Sequence, residues 1–294
     1  MMRALDPEVH DAVFDAVEGL LPDPPSHPLG CHRPRISDRV CLRGMLIRIV
    51  TGSAWETVEF LMNYEVSDTT LRTRRNDWIT AGVFDQLLAE ALAAYDHIIG
   101  VDPTHVTIDG SEHSAPCGGE GTAVGPKQHG RLGWKWCAGV DTDGIPIGWT
   151  IDGANRQDYR LLQPTLDEIT AAPATEHIGT LHLDRGFGYK SLPDRIARYQ
   201  INDVNVIPRN QPGQGRNQLV GFGRRWVGER THSWFTNYGQ LQRNTDRRIE
   251  HRHAALCLAT VFLITARLID HRNTHYRPIH LASRHLLQLR AAGR

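Results

Sequence analysis

Lysine is almost missing from this chain: three residues, Lys127, Lys135 and Lys190, stand against thirty arginines. A GC-rich coding sequence produces that ratio without any functional cause, although arginine also suits bidentate phosphate contacts. Cysteine is sparse. Cys31, Cys41, Cys117, Cys137 and Cys257 form no CxxC pair, which excludes a zinc ribbon and argues for reduced thiols in a cytosolic setting. No unbroken apolar run reaches the ~18 residues of a membrane span, and the start, Met1-Met2-Arg3-Ala4-Leu5-Asp6, leads into an acidic stretch, not a secretory signal. Net charge is also absent, being zero over 294 residues. With 40% hydrophobic and 22% charged residues, dominant disorder is excluded and one large domain or two modest ones are expected.

The zero hides an uneven distribution. Residues 1–30 carry one Arg and six acids, residues 31–80 eight Arg and six acids, and residues 81–214 ten bases and seventeen acids. Residues 215–294 carry fourteen Arg and four acids, a net of +10. A basic C-terminal quarter is an electrostatic footprint for phosphates.

Periodicity divides the chain into an N-terminal helix and Pro-rich arm (1–36), a helical region (37–99), a mixed strand and helix region (100–270) and a basic tail (271–294). Four prolines between Pro22 and Pro28 stop the first helix. Helices are expected at 38–51, from 55 to about 63 behind a Ser53-Ala54-Trp55-Glu56 capping box, and at 69–81 behind Ser67 or Asp68. The short helices and tight turn suggest a helix-turn-helix. Its third helix is expected to expose Thr70, Arg72, Arg74, Arg75 and Asn76, types that read a groove or hold phosphates; a small bundle with a solvated face is the plainer reading. A further amphipathic helix spans 83–99.

Strands are then expected at 105–110, 134–140 and 145–151, the last two joined by Asp141-Thr142-Asp143-Gly144. After a Gly-rich loop at 113–133, helices at 158–170 and 192–199 alternate with strands at 178–183 and 204–207. A loop covers 208–223, a polar helix 224–244 and an apolar helix 254–269. Strands in series followed by alternation give a mixed α/β sheet.

Two acids close apolar strands, Asp109 and Asp184, each followed within two residues by glycine. On neighbouring strands their carboxylates would converge, and paired hard oxygens favour Mg²⁺ or Mn²⁺ over zinc. Glu229 sits in the polar helix with Arg225, His232 and Ser233 on its face. Three carboxylates can hold two divalent ions for in-line phosphoryl displacement, while any protein with 33 acids has some at strand ends.

The wording around these acids resembles the DDE-class insertion-sequence transposases of the IS-five family. The blocks are Thr107-Ile108-Asp109-Gly110-Ser111; Val124-Gly125-Pro126; Gly133-Trp134-Lys135; Asp143-Gly144-Ile145-Pro146; Gly153-Ala154-Asn155-Arg156-Gln157-Asp158; Leu183-Asp184-Arg185-Gly186-Phe187; Val206-Ile207-Pro208-Arg209; and Arg225 through Glu229 to Phe235. They run in the family's order from about residue 37 to residue 270.

The resemblance implies a ribonuclease-H-like core with an N-terminal helical DNA-binding region. It implies Asp109, Asp184 and Glu229 as catalytic metal ligands for two Mg²⁺ (or Mn²⁺) ions, Asp109 bridging them. It implies DNA strand cleavage and strand transfer on terminal inverted repeats and target DNA by a homodimer or larger assembly. No covalent enzyme–DNA intermediate is required. Phe222 stands where the family often has an aromatic hydroxyl and Thr236 where it often has Lys, which bears on phosphate contacts and not on the acids. DNA contacts are expected from Arg72, Arg74, Arg75, Arg224, Arg225 and Arg230, with Arg243, Arg247 and Arg248 further along the path. A bacterial cytoplasmic setting at the nucleoid follows from the same resemblance.

Other classes fit less well. Ser111 and His113 lack the G-x-S-x-G elbow of a hydrolase. His251, His253, His271 and His275 have no HExxH spacing and read as solvated or phosphate-facing. Trp226 and Trp234 read as packing groups more than base-stacking ones. A silent DNA-binding descendant or a non-mobile nuclease on the same fold remains the alternative function.

Overall fold

The computed structural model describes residues 4–24, 34–126, 129–206 and 225–275. Helices α1 (Pro7–Glu18), α2 (Asp38–Thr51), α3 (Trp55–Leu61), α4 (Asp68–Thr80) and α5 (Val83–Ile98) precede a sheet. Its strands are β1 (His105–Ser114), β2 (Ala123–Val124), β3 (Leu132–Val140), β4 (Pro146–Gly153), β5 (His177–Leu183) and β6 (Gln200–Val206). Between and after them lie α6 (Asp158–Thr170), α7 (Leu192–Ile196), α8 (Arg225–Thr236), α9 (Gly239–Gln242) and α10 (Ile249–His275).

β3 is the hub. It pairs antiparallel with β1 on one edge and with β4 and the short β2 on the other; β1 pairs parallel with β5, and β5 with β6. An antiparallel meander continued by two parallel strands is the mixed sheet expected of a ribonuclease-H-like core, and the protein has that fold class.

Alternation along β1 explains the two faces. Val106 and Ile108 join Cys137, Leu162, Leu166, Ile169, Leu181 and Leu183 in a core under α6. On the opposite face Trp134, Trp136 and Ala138 meet Phe235 of α8 and the apolar side of α10. That same cluster takes in Val13, Leu42, Trp55 and Leu71, so the helices of the N-terminal region and α10 share one core. α10 passes for a membrane span by length and hydropathy, yet Leu256, Cys257, Ala259 and Ile264 are fully covered inside the fold and Arg252 is buried among them.

Several boundaries differ from expectation, each for a physical reason. Ser53 does not cap α3: Ala54 holds the N-cap position without a side-chain bond, and the Ser53 carbonyl is taken by Arg48. Ser67 does cap α4, accepting from the Thr70 amide. β1 runs on to Ser114 because its polar half pairs along Gly133–Ala138 of β3. The helix expected over 224–244 breaks at Asn237–Tyr238, and the basic tail's first residues, 271–275, finish α10.

Arg74 corrects the expected recognition face. It is 5% exposed, paired with Asp38 and donating to the Ile36 carbonyl, so it holds α4 to the start of α2. Helical periodicity explains the error: Leu71, Arg74 and Trp78 form one i, i+3, i+7 stripe and all three are buried.

Candidate functional site

Register places two acids side by side. Ile108 of β1 pairs with Leu183 of β5, so Asp109 and Asp184 occupy the next level up on adjacent parallel strands. Both follow residues that point into the α6 core, so alternation sends both carboxylates toward the α8 face. Each carboxylate is steadied locally. Asp109 Oδ1 accepts from the Gly110 amide at 2.8 Å, and Asp184 Oδ1 accepts from the Arg185 amide at 2.6 Å.

α8 lies over this pair. A Cβ on Gly228 would stand 3.0 Å from Thr107 Cγ2 and 4.0 Å from Asp109 Cβ, so glycine is what lets the helix sit on β1. His232, one turn on, brings Nε2 to 3.9 Å from Asp109 Oδ2. Glu229 lies about 60° further round the helix than His232, on its exposed side. The three acids therefore come from the middle of β1, the end of β5 and the helix packed over them; Asp109 does not close its strand as expected, because β1 goes on pairing with β3 as far as Ser114. Arg225 opens α8; Arg224 and Phe222 lie outside the described residues.

His232 is a part of the site whose role spacing alone did not show. Trp136 Nε1 donates to its Nδ1 at 3.0 Å, so the ring proton of the neutral form sits on Nε2, the atom nearest Asp109. Burial pushes this imidazole down to about 4, so it is neutral at pH 7. Its Nε2 is buried without a hydrogen bond, the Asp109 carboxylate at 3.9 Å being beyond that range. Phe235 and the ring of His113, stacked on Trp136 at 3.8 Å between centroids, lock the indole in place.

Asp158 is the second such group. It opens α6, and its carboxylate lies against Gly110 of β1 and near Gly186 beyond β5, the glycines that follow the two strand acids. A Cβ on Gly110 would overlap it, and one on Gly186 would come within 3.8 Å. Lys135, 4% exposed, holds it at 2.7 Å and reaches Glu112 at 3.3 Å and the Arg156 carbonyl at 2.9 Å. Burial disfavours the ammonium, but the hydrogen bond and charge of Asp158 outweigh it, so the Lys135 pKa is raised. The sequence carried a signal here, since Asp158 ends the Gly153–Asp158 block, but its position became visible only once β3 and α6 were packed.

The donor set around Asp109 fits a hard divalent cation: the groups converging there are carboxylates, and the imidazole nitrogen facing them, His232 Nε2, carries a proton and is not a ligand. Another grouping of metal-type side chains among the described residues, Asp85, His253 and Cys257, is different in kind. Trp149 donates to His253 Nδ1 at 3.2 Å, leaving the Nε2 proton to donate to Asp85 at 2.7 Å. His253 thus ties β4, α5 and α10 together, and His251 packs beside Asp246, so neither histidine is merely solvated.

The arginines expected on DNA separate into three kinds. Arg72 is exposed and paired with Glu56 and Asp68. Arg75 is turned inward, reaching Asp246 at 2.8 Å and stacking on Trp55. Arg230 lies between Trp226 and Trp234 and donates to the Asp143 carbonyl.

Residues 96–264 match the family described as "Transposase DDE domain", and residues 9–88 match "Putative transposase of IS4/5 family". A protein named "Putative transposase for insertion sequence element IS402", from Burkholderia cepacia, is 27% identical over 142 residues, 47% of this chain and 65% of that protein. The chain thus aligns with just under two thirds of that relative's length. An "Insertion element IS402 uncharacterized 16.2 kDa protein" from the same organism is 30% identical over 115 residues, 39% of this chain and 78% of that protein.

Proposed function

Because this chain belongs to the DDE transposase family, we propose that it binds the ends of an insertion sequence and catalyses DNA strand cleavage and strand transfer at Asp109, Asp184 and Glu229. The observation that carries this reading is the pairing of Ile108 with Leu183, which sets two acids level beneath the helix bearing the third. Asp109, Asp184 and Glu229 would hold Mg²⁺ or Mn²⁺, two ions in all. Such ions, when bound, neutralise charge on the phosphodiester and favour ionisation of an attacking water or 3′-hydroxyl.

The chain's own residues prepare that site. His232, held by Trp136, sets its ring against the Asp109 side chain, with Nε2 3.9 Å from Oδ2, and so bounds the space that carboxylate can occupy. Asp158, held by Lys135, packs against Gly110 and near Gly186, just after the two strand acids. The exposed side of α8 beside Glu229 leaves an approach for a nucleic acid strand. Double-stranded DNA of the terminal repeats and of the target is the proposed partner, bound by at least two copies of the chain.

The test is metal-dependent cleavage of the element's terminal DNA by the intact chain and by Asp109→Asn, Asp184→Asn and Glu229→Gln. Cleavage by the intact chain, lost in all three variants while each still binds the DNA, is the expected result. Binding without cleavage in Mg²⁺ and Mn²⁺ would instead favour a silent DNA-binding descendant.

A further inference from the structure

Among the described residues the acid with the least exposure is Asp141, at 1%, and the proposed reaction gives it no task. It stands where β3 turns toward β4. Its partners are backbone amides. Oδ1 accepts from Asp143 at 3.0 Å and from Ile145 at 2.8 Å, and Oδ2 faces the Asp102 amide at 3.4 Å. Burial pushes this carboxyl up to about 6, and the amides of Ile145, Asp102 and Asp143 oppose that shift. Closing a hairpin does not require a buried acid. The backbone already does so, with the Asp141 amide donating to the Ile145 carbonyl and the Gly144 amide to the Asp141 carbonyl.

The load on the turn accounts for the acid. Arg230 of α8 donates to the Asp143 carbonyl, and Thr231 Oγ1 donates to the Gly144 carbonyl at 2.7 Å. Gly144 sits at φ +84°, and a Cβ there would stand 2.9 Å from Arg230 and 3.0 Å from both Thr231 and Val227. Arg230 and Thr231 are the two residues that follow Glu229. Gly228, just before it, rests on Thr107 of β1. Glu229 is therefore bracketed by the sheet on one side and the β3–β4 turn on the other.

We propose that Asp141 is a positioning residue for Glu229. Its carboxylate shapes the turn, the two turn carbonyls hold Arg230 and Thr231, and those bonds set where α8 presents Glu229 to the strand acids. Side chains that share a cation must be held to within about 0.5 Å. The pairing of β1 with β5 does this for Asp109 and Asp184. Glu229 comes from a separate helix, which needs a tether of its own.

This role rests on the proposed metal-dependent reaction, and the experiment separates the two. Binding of Mn²⁺ to the full chain is followed by the fall of the free-ion electron paramagnetic resonance signal, and cleavage of end DNA is timed at saturating DNA. Asp141→Ala is expected to weaken Mn²⁺ binding and to slow cleavage, each by about tenfold, with affinity for end DNA unchanged. Asp141→Asn keeps an oxygen for the Asp143 and Ile145 amides and should restore most of both. Thr231→Val preserves the packing and removes the bond to the turn. It should reproduce the Asp141→Ala defect, and the double variant should be no worse than either single one. If Asp141→Ala does not fold, Thr231→Val decides. Wild-type Mn²⁺ binding and cleavage in folded Asp141→Ala or in Thr231→Val overturns the role, as does an Asp141→Asn chain as impaired as Asp141→Ala. If the intact chain neither binds Mn²⁺ nor cleaves, the metal-dependent reaction falls, and the positioning role with it.

Discussion

Two side chains under the acids, Asp158 and His232, show how a site is held without contributing ligands. Gly110→Ala drives a methyl group into the Asp158 carboxylate, so it should lower thermal stability and cleavage together. Asp158→Ala leaves the buried Lys135 ammonium with Glu112 and the Arg156 carbonyl but without its shortest ion pair. Breaking such a pair should cost about 3 kcal/mol in urea unfolding, the low end for buried pairs because Asp158 is itself partly exposed. A loss under ~0.5 kcal/mol would remove Asp158 from the frame of the site. His251 gives a pH effect of defined sign. Burial, followed by the charge of Arg75, lowers its pKa from 6.5 to about 4. As pH falls the unfolded chain takes up the proton first, so this contribution to stability is complete above about 6.5 and is lost toward 4. His251→Gln should flatten the melting temperature across that window relative to the wild type.

Helix α4 carries two arginines two residues apart with opposite duties. Arg74→Ala leaves Asp38 and the Ile36 carbonyl without their buried partner and should cost about 3–5 kcal/mol. Arg72→Ala removes exposed pairs with Glu56 and Asp68 and should change stability by under ~1 kcal/mol. Arg72 is therefore the α4 residue whose loss tests DNA binding without a folding artefact. Caps divide in the same way. Ser67→Ala removes a real N-cap and should cost about 1 kcal/mol, whereas Ser53→Ala removes no cap bond. Chemical denaturation of the four variants checks all of these. Both misread features, the Ser53 box and the Arg74 exposure, were locally reasonable. The first turn of α3 starts one residue later than the box requires, behind Ala54, and Arg74 is drawn inward by Asp38 and the Ile36 carbonyl at the start of α2.

The N-terminal helices are bound to the rest of the molecule by charge as well as by apolar packing. Asp246 is buried, and burial works against its ionisation, but Arg48 and Arg75 hold its carboxyl below the usual range. Gly52 and Gly239 come into direct backbone contact beside it, Gly52 with φ +69°, a geometry in which a Cβ on either residue would strike the other segment. Asp246→Ala should leave two buried guanidiniums uncompensated and destabilise by about 3–5 kcal/mol. One unfolding transition is expected in both the wild type and Asp246→Ala; two transitions in Asp246→Ala would mean that the helices are independently docked. DNA binding should fall steeply with salt as phosphates displace counterions. Light scattering on the complex with end DNA should report at least two chains, and a monomeric complex would contradict that assembly.

Apolar alternation and strand-end glycines were local properties of the chain, and they were enough to mark Asp109 and Asp184, the boundaries of α2 and α6 and the mixed sheet. A carboxylate after an apolar run is recognisable because the burial before it is written within a few residues, although a turn follows only Asp184 and β1 continues past Asp109. Which side chains face that carboxylate is not a local property. His232 became a neighbour of Asp109 through the register of α8 on Thr107, and Asp158 through the packing of α6 beneath β1. Trp226 and Arg74 exchanged their expected exposures for the same reason. Periodicity sorts a helix into faces, but the surface each face meets is decided by elements distant in sequence.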